Sequence, residues 1–320
     1  MNNVLITTYP EAFLHRGGGE TELLDILHNL RLLGVKVDIY GPASQPLAKY
    51  DVVLHYSVAG SGLDFVRQVQ KARKRLVLMP SIWWIDQPTS GELACVAKFF
   101  KAADAIVFKS RSEYENVANF LPVPEGKVAY CRWGVDACFE EKTDPDLFRK
   151  TYNLQEYILN VGIIDERKNQ LSAVRACLDS PVPFVFIGDY RDRSYYEACV
   201  RSAPRGWRFL PYIAPKSEML RSALAGCRAF VEVSLEPCGF SALEAGLARV
   251  PLVLSESPWT SEHFGADVYK VDPYSPDSIR EGVLSSLEDK ATKEAHSKIH
   301  ANNLMPMALE GLARTLCETV

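Results

Sequence analysis

At 320 residues, with 47% hydrophobic and 24% charged, the chain has the length for two domains of ordinary size and the composition of a water-soluble globular protein. A net charge of −4 and a pI near 5.9 argue against a nucleic-acid binder held by phosphate contacts, and no apolar run approaches the ~20 residues of a membrane-spanning helix. Eight cysteines without a C-x-x-C pair predict reduced thiols, no His/Cys cluster shows metal-ligand spacing, and the opening residues lack the basic and long apolar regions of a signal peptide, so a cytoplasmic protein is expected.

The chain opens on an apolar strand, Asn3–Thr7, and a loop that ends in Gly17, Gly18 and Gly19. Glu20–Leu33 carries Leu23, Ile26, Leu27 and Leu30 along one broad face, which predicts an amphipathic helix. Gly34 ends it, and Val35–Tyr40 forms the next strand of a βαβ unit with a right-handed parallel crossover. The glycine loop is not G-x-G-x-x-G, so a dinucleotide fingerprint is absent; it suits either close approach of a ligand or a plain flexible turn. Strands follow over Asp51–Tyr56, Arg75–Met79, Ala105–Lys109 and Lys127–Cys131, with helices over about 62–74, 90–103 and 110–120. Arg67, Lys71, Arg73, Lys74 and Arg75 read first as a solvated helix face, with a membrane surface as the alternative partner. The charged stretch Thr143–Asn153, which contains Pro145, is expected to connect two domains.

A second alternating series begins at Tyr157–Gly162. It runs through a helix at Gln170–Leu178, strands at Pro183–Ile187 and Trp207–Leu210, and helices near Tyr195–Ser202 and Lys216–Ala225. The strand Arg228–Ser234, a Pro/Gly turn, a helix and the strand Pro251–Ser255 follow, and about 275–319 is mostly helical with a break at Pro306. Two βα series of similar size predict an α/β protein of two doubly wound, Rossmann-like domains facing across a cleft, with ligands beyond the carboxyl ends of the strands. The expected division is 1–148 and 149–302, with a helix over about 303–320 packing back on the first domain.

The richest stretch is Glu236-Pro-Cys-Gly-Phe-Ser-Ala-Leu-Glu244. After the turn, Phe240, Leu243 and Leu247 recur at helical spacing, so the amides of Gly239, Phe240 and Ser241 sit at a helix N-terminus, where an anion is favoured. Gly239 lacks a Cβ that would keep a phosphate from the main chain, and Glu244, one turn in, suits a ribose diol. Solvated carboxylates flanking an ordinary capped turn are the plain alternative.

Several segments together resemble the GT-B-fold glycosyltransferases, in particular the large retaining class called family 4. The Glu236-x7-Glu244 pair is similar to that family's most specific signature, and Val161-Gly-Ile-Ile-Asp-Glu-Arg-Lys168 to the opening of its donor domain. Phe186-Ile-Gly-Asp189, Trp133-Gly-Val-Asp136, Ala103-Asp-Ala-Ile-Val-Phe-Lys-Ser110 and Gly17-Gly-Gly-Glu20 resemble further family segments, so the likeness runs from about residue 3 to residue 290 and is weaker in the first half.

The resemblance implies a nucleoside-diphosphate sugar, UDP- or GDP-linked, as co-substrate, and a hexose transferred with retention to a glycan, lipid-linked or small-molecule acceptor. It implies no metal and no other cofactor. Gly239, Phe240 and Ser241 would hold the diphosphate, Lys168 would neutralise it, and Glu244 would bind the ribose. Glu236 would contact the transferred sugar; Gly18, Gly19 and Gly188 would let the donor approach the backbone. The family's arginine after Val-Gly is Ile163 here, with Arg167 as its substitute. The family's first-domain histidine is missing after Met79, so His55, Trp83, Trp84 and Asp86 are the acceptor-side candidates. The expected location is cytoplasmic, with peripheral contact to the membrane's cytoplasmic face as an alternative. Rival readings are a GT-B nucleotide-sugar epimerase, which needs no acceptor, and a non-catalytic nucleotide-sugar-binding subunit.

Overall fold

The helix α1 (Gly18–Leu32) separates the strands β1 (Asn3–Thr7) and β2 (Lys36–Ile39), and the crossover makes their pairing parallel, with Val4 opposite Val37. The same logic repeats through β3 (Val52–Tyr56), α2 (Leu63–Lys71), β4 (Arg75–Met79), α3 (Ser90–Ala102), β5 (Ala105–Phe108), α4 (Arg111–Ala118) and β6 (Val128–Tyr130). The result is a six-stranded parallel sheet in the order β2-β1-β3-β4-β5-β6. Period-2 alternation splits the strand residues between two cores. Val4, Ile6, Leu54 and Val77 pack on Leu23 and Leu30 of α1, while Leu5, Val53, Leu76 and Leu78 pack on Val66 of α2 and Phe99 of α3.

This is a computed structural model, and it describes residues 2–14, 17–288 and 293–318. The chain divides into one unit of Met1–Gly134 with Met305–Val320 and a second of Val135–Leu304. The second contains α5 (Asp146–Tyr152), β7 (Ile158–Val161), α6 (Gln170–Ala176), β8 (Phe184–Ile187), α7 (Arg193–Ser202), β9 (Arg208–Leu210), α8 (Glu218–Gly226) and β10 (Ala229–Glu232). It continues with α9 (Phe240–Leu247), β11 (Leu252–Ser255), α10 (Pro258–Phe264), β12 (Tyr269–Val271), α11 (Pro276–Glu288) and α12 (Lys293–Asn303). Its sheet is again parallel and six-stranded, in the order β12-β11-β10-β7-β8-β9. No described helix is long and apolar enough to cross a membrane.

The division at Gly134 corrects the expected boundary. The charged stretch predicted as a connector is α5 and its approach, folded into the second unit: Phe148 is fully buried, its amide donates to Ser222 Oγ (2.9 Å), and that hydroxyl donates to Asp144 O (2.6 Å). Short α10 and the edge strand β12 were not anticipated, because three or seven residues are too few to show a period.

The final helix, α13 (Glu310–Cys317), lies on the first unit, with Leu312 and Leu316 in the core beside Val4 and Leu23. Arg75, expected on a solvated face, instead donates to the α13 carbonyls of Thr315 (2.6 Å) and to that of Glu318 (3.0 Å), a cation satisfying a helix C-terminus. Gly311 is where the helix meets the sheet: a Cβ there would lie 2.1 Å from Tyr130 O. Alanine is the better helix former by about 1 kcal/mol, but the clash reverses the sign. Gly311→Ala is therefore expected to lower the unfolding free energy of the first unit, measured by denaturant titration, by about 1–3 kcal/mol; a stabilised variant would refute the close approach.

Candidate functional site

In the second unit the chain leaves β7 towards β8 and β9, and later leaves β10 towards β11 and β12. Because β7 and β10 are neighbours, the loops after them diverge, which is where open α/β sheets hold ligands. The loop after β7 ends in a 3-10 turn, Glu166–Lys168, capped by the Asp165 carboxylate, which accepts from the Arg167 amide (3.0 Å). Asn169 follows in the left-handed region (φ 57°), and its side-chain amide donates to Val233 O (3.1 Å) and Pro273 O (2.9 Å). The Leu235 amide donates to Arg167 O (2.8 Å). Arg167 and Lys168 are thus tied by main-chain geometry to the turn that carries Glu236.

The charges converge. Lys168 Nζ lies 3.1 Å from Glu232 Oε1 and 3.4 Å from Glu236 Oε1, and Arg167 pairs with the other oxygen of Glu236. Burial alone pulls the Lys168 ammonium down, but Glu232 and Glu236 more than offset this and hold it above its ordinary range. Glu232, 2% exposed, also accepts from Ser234 Oγ (3.1 Å), the Gly239 amide (2.9 Å) and Ser241 Oγ (3.4 Å). Burial pushes the neighbouring Cys238 thiol well up, so it is no nucleophile at neutral pH.

Glu232 is the residue that sequence reasoning missed. A carboxylate closing the buried strand Ala-Phe-Val-Glu was the available signal, since an acid in that setting has to be paired. Its presence also corrects one expectation: the Gly239 amide is committed to Glu232 rather than open to a ligand. Gly239 is extended (φ −75°, ψ −175°), and an added Cβ would make only ordinary contacts, 3.7 Å from Glu232 Oε1 and 3.8 Å from Lys168 Nζ. Phe240 and Ser241 form the first turn of α9, and Glu244 is half-buried one turn on. Gly188 has a reason of its own: at φ +153°, a Cβ would lie 2.0 Å from Gly162 O, so it permits the loops after β7 and β8 to touch.

The first unit has its own switch point, between β1 and β3. Gly18 and Gly19 belong to the first turn of α1 rather than to a loop, and a Cβ on Gly19 would lie 3.6 Å from the Tyr56 hydroxyl. Tyr56 donates to Glu22 Oε2 (2.6 Å); Lys109 Nζ donates to the same oxygen (2.9 Å) and to Ser81 Oγ (3.0 Å) and sits 3.9 Å from the Trp133 ring centre. This buried network was not foreseen, because its members are scattered from residue 22 to residue 133.

The acceptor-side candidates do not come together. His55 is 1% exposed, bonded through Nδ1 to Thr7 Oγ1 (2.9 Å) and stacked on Phe99, and burial lowers its pKa to about 4. It is a neutral core histidine. Trp84 exchanges main-chain bonds with the Asn116 side chain (2.9 Å each) and packs edge-on against Phe120. Trp83 is half-buried and Asp86 exposed in the same loop.

The second unit matches a known family in sequence. Residues 146–303 match the model for glycosyl transferases group 1. The match spans nearly all of the second unit. A 150-residue stretch is 30% identical to the O-antigen chain mannosyltransferase B of Escherichia coli, covering 44% of this chain and 39% of that protein. HepE of Anabaena, solved with UDP and glucose, superposes over 100% of both chains at 15% identity and TM-score 0.80. A glycosyltransferase of Rickettsia africae covers 100% of both at 13% identity and TM-score 0.79, and sucrose-phosphate synthase of Thermosynechococcus elongatus covers 98% and 97% at 16% and 0.78. The fold is GT-B, two parallel doubly wound units.

Two outcomes test this description. Glu232→Ala leaves a buried ammonium and the Gly239 amide short of a partner, and is expected to cost about 3 kcal/mol in urea unfolding, whereas Glu236→Ala, at the rim, costs under about 1 kcal/mol. The folded pKa of His55 lies below the unfolded value, so the unfolded chain binds more protons between about pH 6.5 and 4, and stability falls as pH drops through that window, by up to about 3 kcal/mol. In His55→Asn the slope of unfolding free energy over that window should flatten, whatever the baseline stability.

Proposed function

We propose that the chain is a glycosyltransferase that moves a hexose from a UDP- or GDP-sugar to an acceptor hydroxyl with retention of configuration. The observation that carries this is the convergence of Lys168, Arg167 and Glu236 at the N-terminus of α9, on the switch point of a group 1 unit. A diphosphate placed there meets the Lys168 ammonium and the amides of the first turn of α9, charge that acts most strongly as the sugar–phosphate bond breaks. Arg167 stands in for the arginine replaced by Ile163, and it also orients Glu236, whose carboxylate faces the transferred sugar and stabilises positive charge at its anomeric carbon. Glu244 takes the ribose diol, and the departing phosphate takes the acceptor proton on the same face.

The donor class is supported by the UDP and glucose of the Anabaena structure and by the mannosyltransferase relative. The acceptor is a glycan, a lipid-linked sugar or a small molecule. The location that fits eight cysteines without a C-x-x-C pair is the cytoplasm, and in this proposal Lys168, Arg167 and α9 supply the positive charge.

The test is nucleoside-diphosphate release from a panel of UDP- and GDP-sugars, with and without acceptors. Lys168→Ala and Glu236→Ala should each lower turnover by about 100-fold or more. Release that survives both substitutions together removes the site assignment. Donor binding without turnover on any acceptor would make the chain a binding subunit.

A further inference from the structure

His296 and His300 lie one turn apart on α12, so both imidazoles project from one face of the helix. Glu140 reaches them from a 3-10 turn, Ala137–Glu140, far away in sequence. His296 Nε2 and His300 Nδ1 each lie 2.8 Å from the same oxygen, Glu140 Oε1, and the two rings are near-parallel with centres 5.9 Å apart. Among the described residues, this is the grouping of three ligand-type side chains whose donor atoms lie within 4.8 Å of one another. None of the three takes part in the Lys168–Glu236 site.

We propose that Glu140, His296 and His300 form a binding site for a divalent transition-metal ion of the zinc class. Two imidazoles and one carboxylate are the donors such ions prefer, and magnesium or calcium would want oxygen instead. The geometry is close to that of the bound state. With bonds of about 2.0–2.2 Å in a tetrahedral arrangement, ligand atoms across a shared ion stand about 3.3–3.6 Å apart, so each ring nitrogen and Glu140 Oε1, 2.8 Å apart, need to part by only about 0.5–0.8 Å. Each ring then turns its N–H outward and gives the ion a lone pair. His296 is nearly buried and fixes one ligand, while the His300 side chain, 54% exposed, leaves an entry path and room for water in the remaining position.

The ion would fasten two elements that flank the donor helix. The 3-10 turn is held at its start by Asp136, whose carboxylate accepts from the Cys138 amide (2.9 Å). The other element, α12, packs on α9 so closely that a Cβ on Gly246 would lie 2.4 Å from Ile299 Cδ1. Binding is therefore expected to stiffen the support behind α9, and the proposal stands whether or not the chain transfers a sugar.

The experiment uses the full chain, stripped with a chelator and titrated with Zn²⁺ by calorimetry and with Co²⁺ by visible absorption. One ion should bind per chain, the Co²⁺ complex should show d–d bands without a thiolate charge-transfer band, and excess Zn²⁺ should raise the melting temperature by about 5 °C. Loss of a direct ligand should cost more than the ~10–100-fold typical of outer-shell partners, so His300→Ala and Glu140→Gln should each remove both the stoichiometric site and the thermal shift. Exposed His300 makes the first of these a variant that folds, which its metal-free melting curve checks. The proposal is overturned if the unmodified chain takes up neither ion, if binding persists in both variants, or if a thiolate band shows the metal on a cysteine such as exposed Cys317.

Discussion

The Lys168 ammonium, drawn between a buried carboxylate and a rim carboxylate, is the interaction on which the second unit's site turns. Glu232 is sealed beneath the β10 turn and fully engaged: one lysine, two hydroxyls and the Gly239 amide approach it. Glu236 is more open and shares Lys168 with Glu232 and Arg167 with solvent. One carboxylate sets where the ammonium stands and where α9 begins. The other stands at the rim, between Arg167 and Lys168. A buried charge pair of this kind is poor evidence for stability, because desolvation offsets much of the attraction. Its value lies in position.

Placement follows from sheet order. In both units the strand order reverses once, at β7/β10 and at β1/β3, and polar residues collect beyond the carboxyl ends of the strands. In the second unit they are the residues of the proposed donor site. In the first they are Glu22, Tyr56, Ser81 and Lys109, with Trp133 covering the ammonium. Burial and Glu22 push the Tyr56 hydroxyl well up, which keeps it a proton donor within that network.

Much of this was legible beforehand. Period-2 strands, amphipathic helices and their alternation predicted two parallel doubly wound units; Glu236 and α9 were read from a local motif, and Lys168 came with the family resemblance. What escaped were groups whose meaning depends on distant partners. Glu232 looked like one more strand residue until Lys168 and Gly239 met it. His55, which ends a strand as a catalytic residue would, is packed against Phe99 by a helix more than forty residues on. Thr143–Asn153 had the composition of a linker, yet Phe148 gave it a place in a core.

The sequence by itself determined the elements and their class, because hydrophobic periodicity is a local property and parallel pairing follows once helices separate the strands. It also located the turn that opens α9, since Pro, Gly and the helix start are neighbours in the chain. Tertiary structure decided which charges are neutralised, which amides are already taken and which imidazoles face a carboxylate. Glu140 lies 156 residues from His296, and only folding brings the two within 2.8 Å. Coulombic and hydrogen-bond energies depend on separation in space and on burial, and neither is written in the order of the residues.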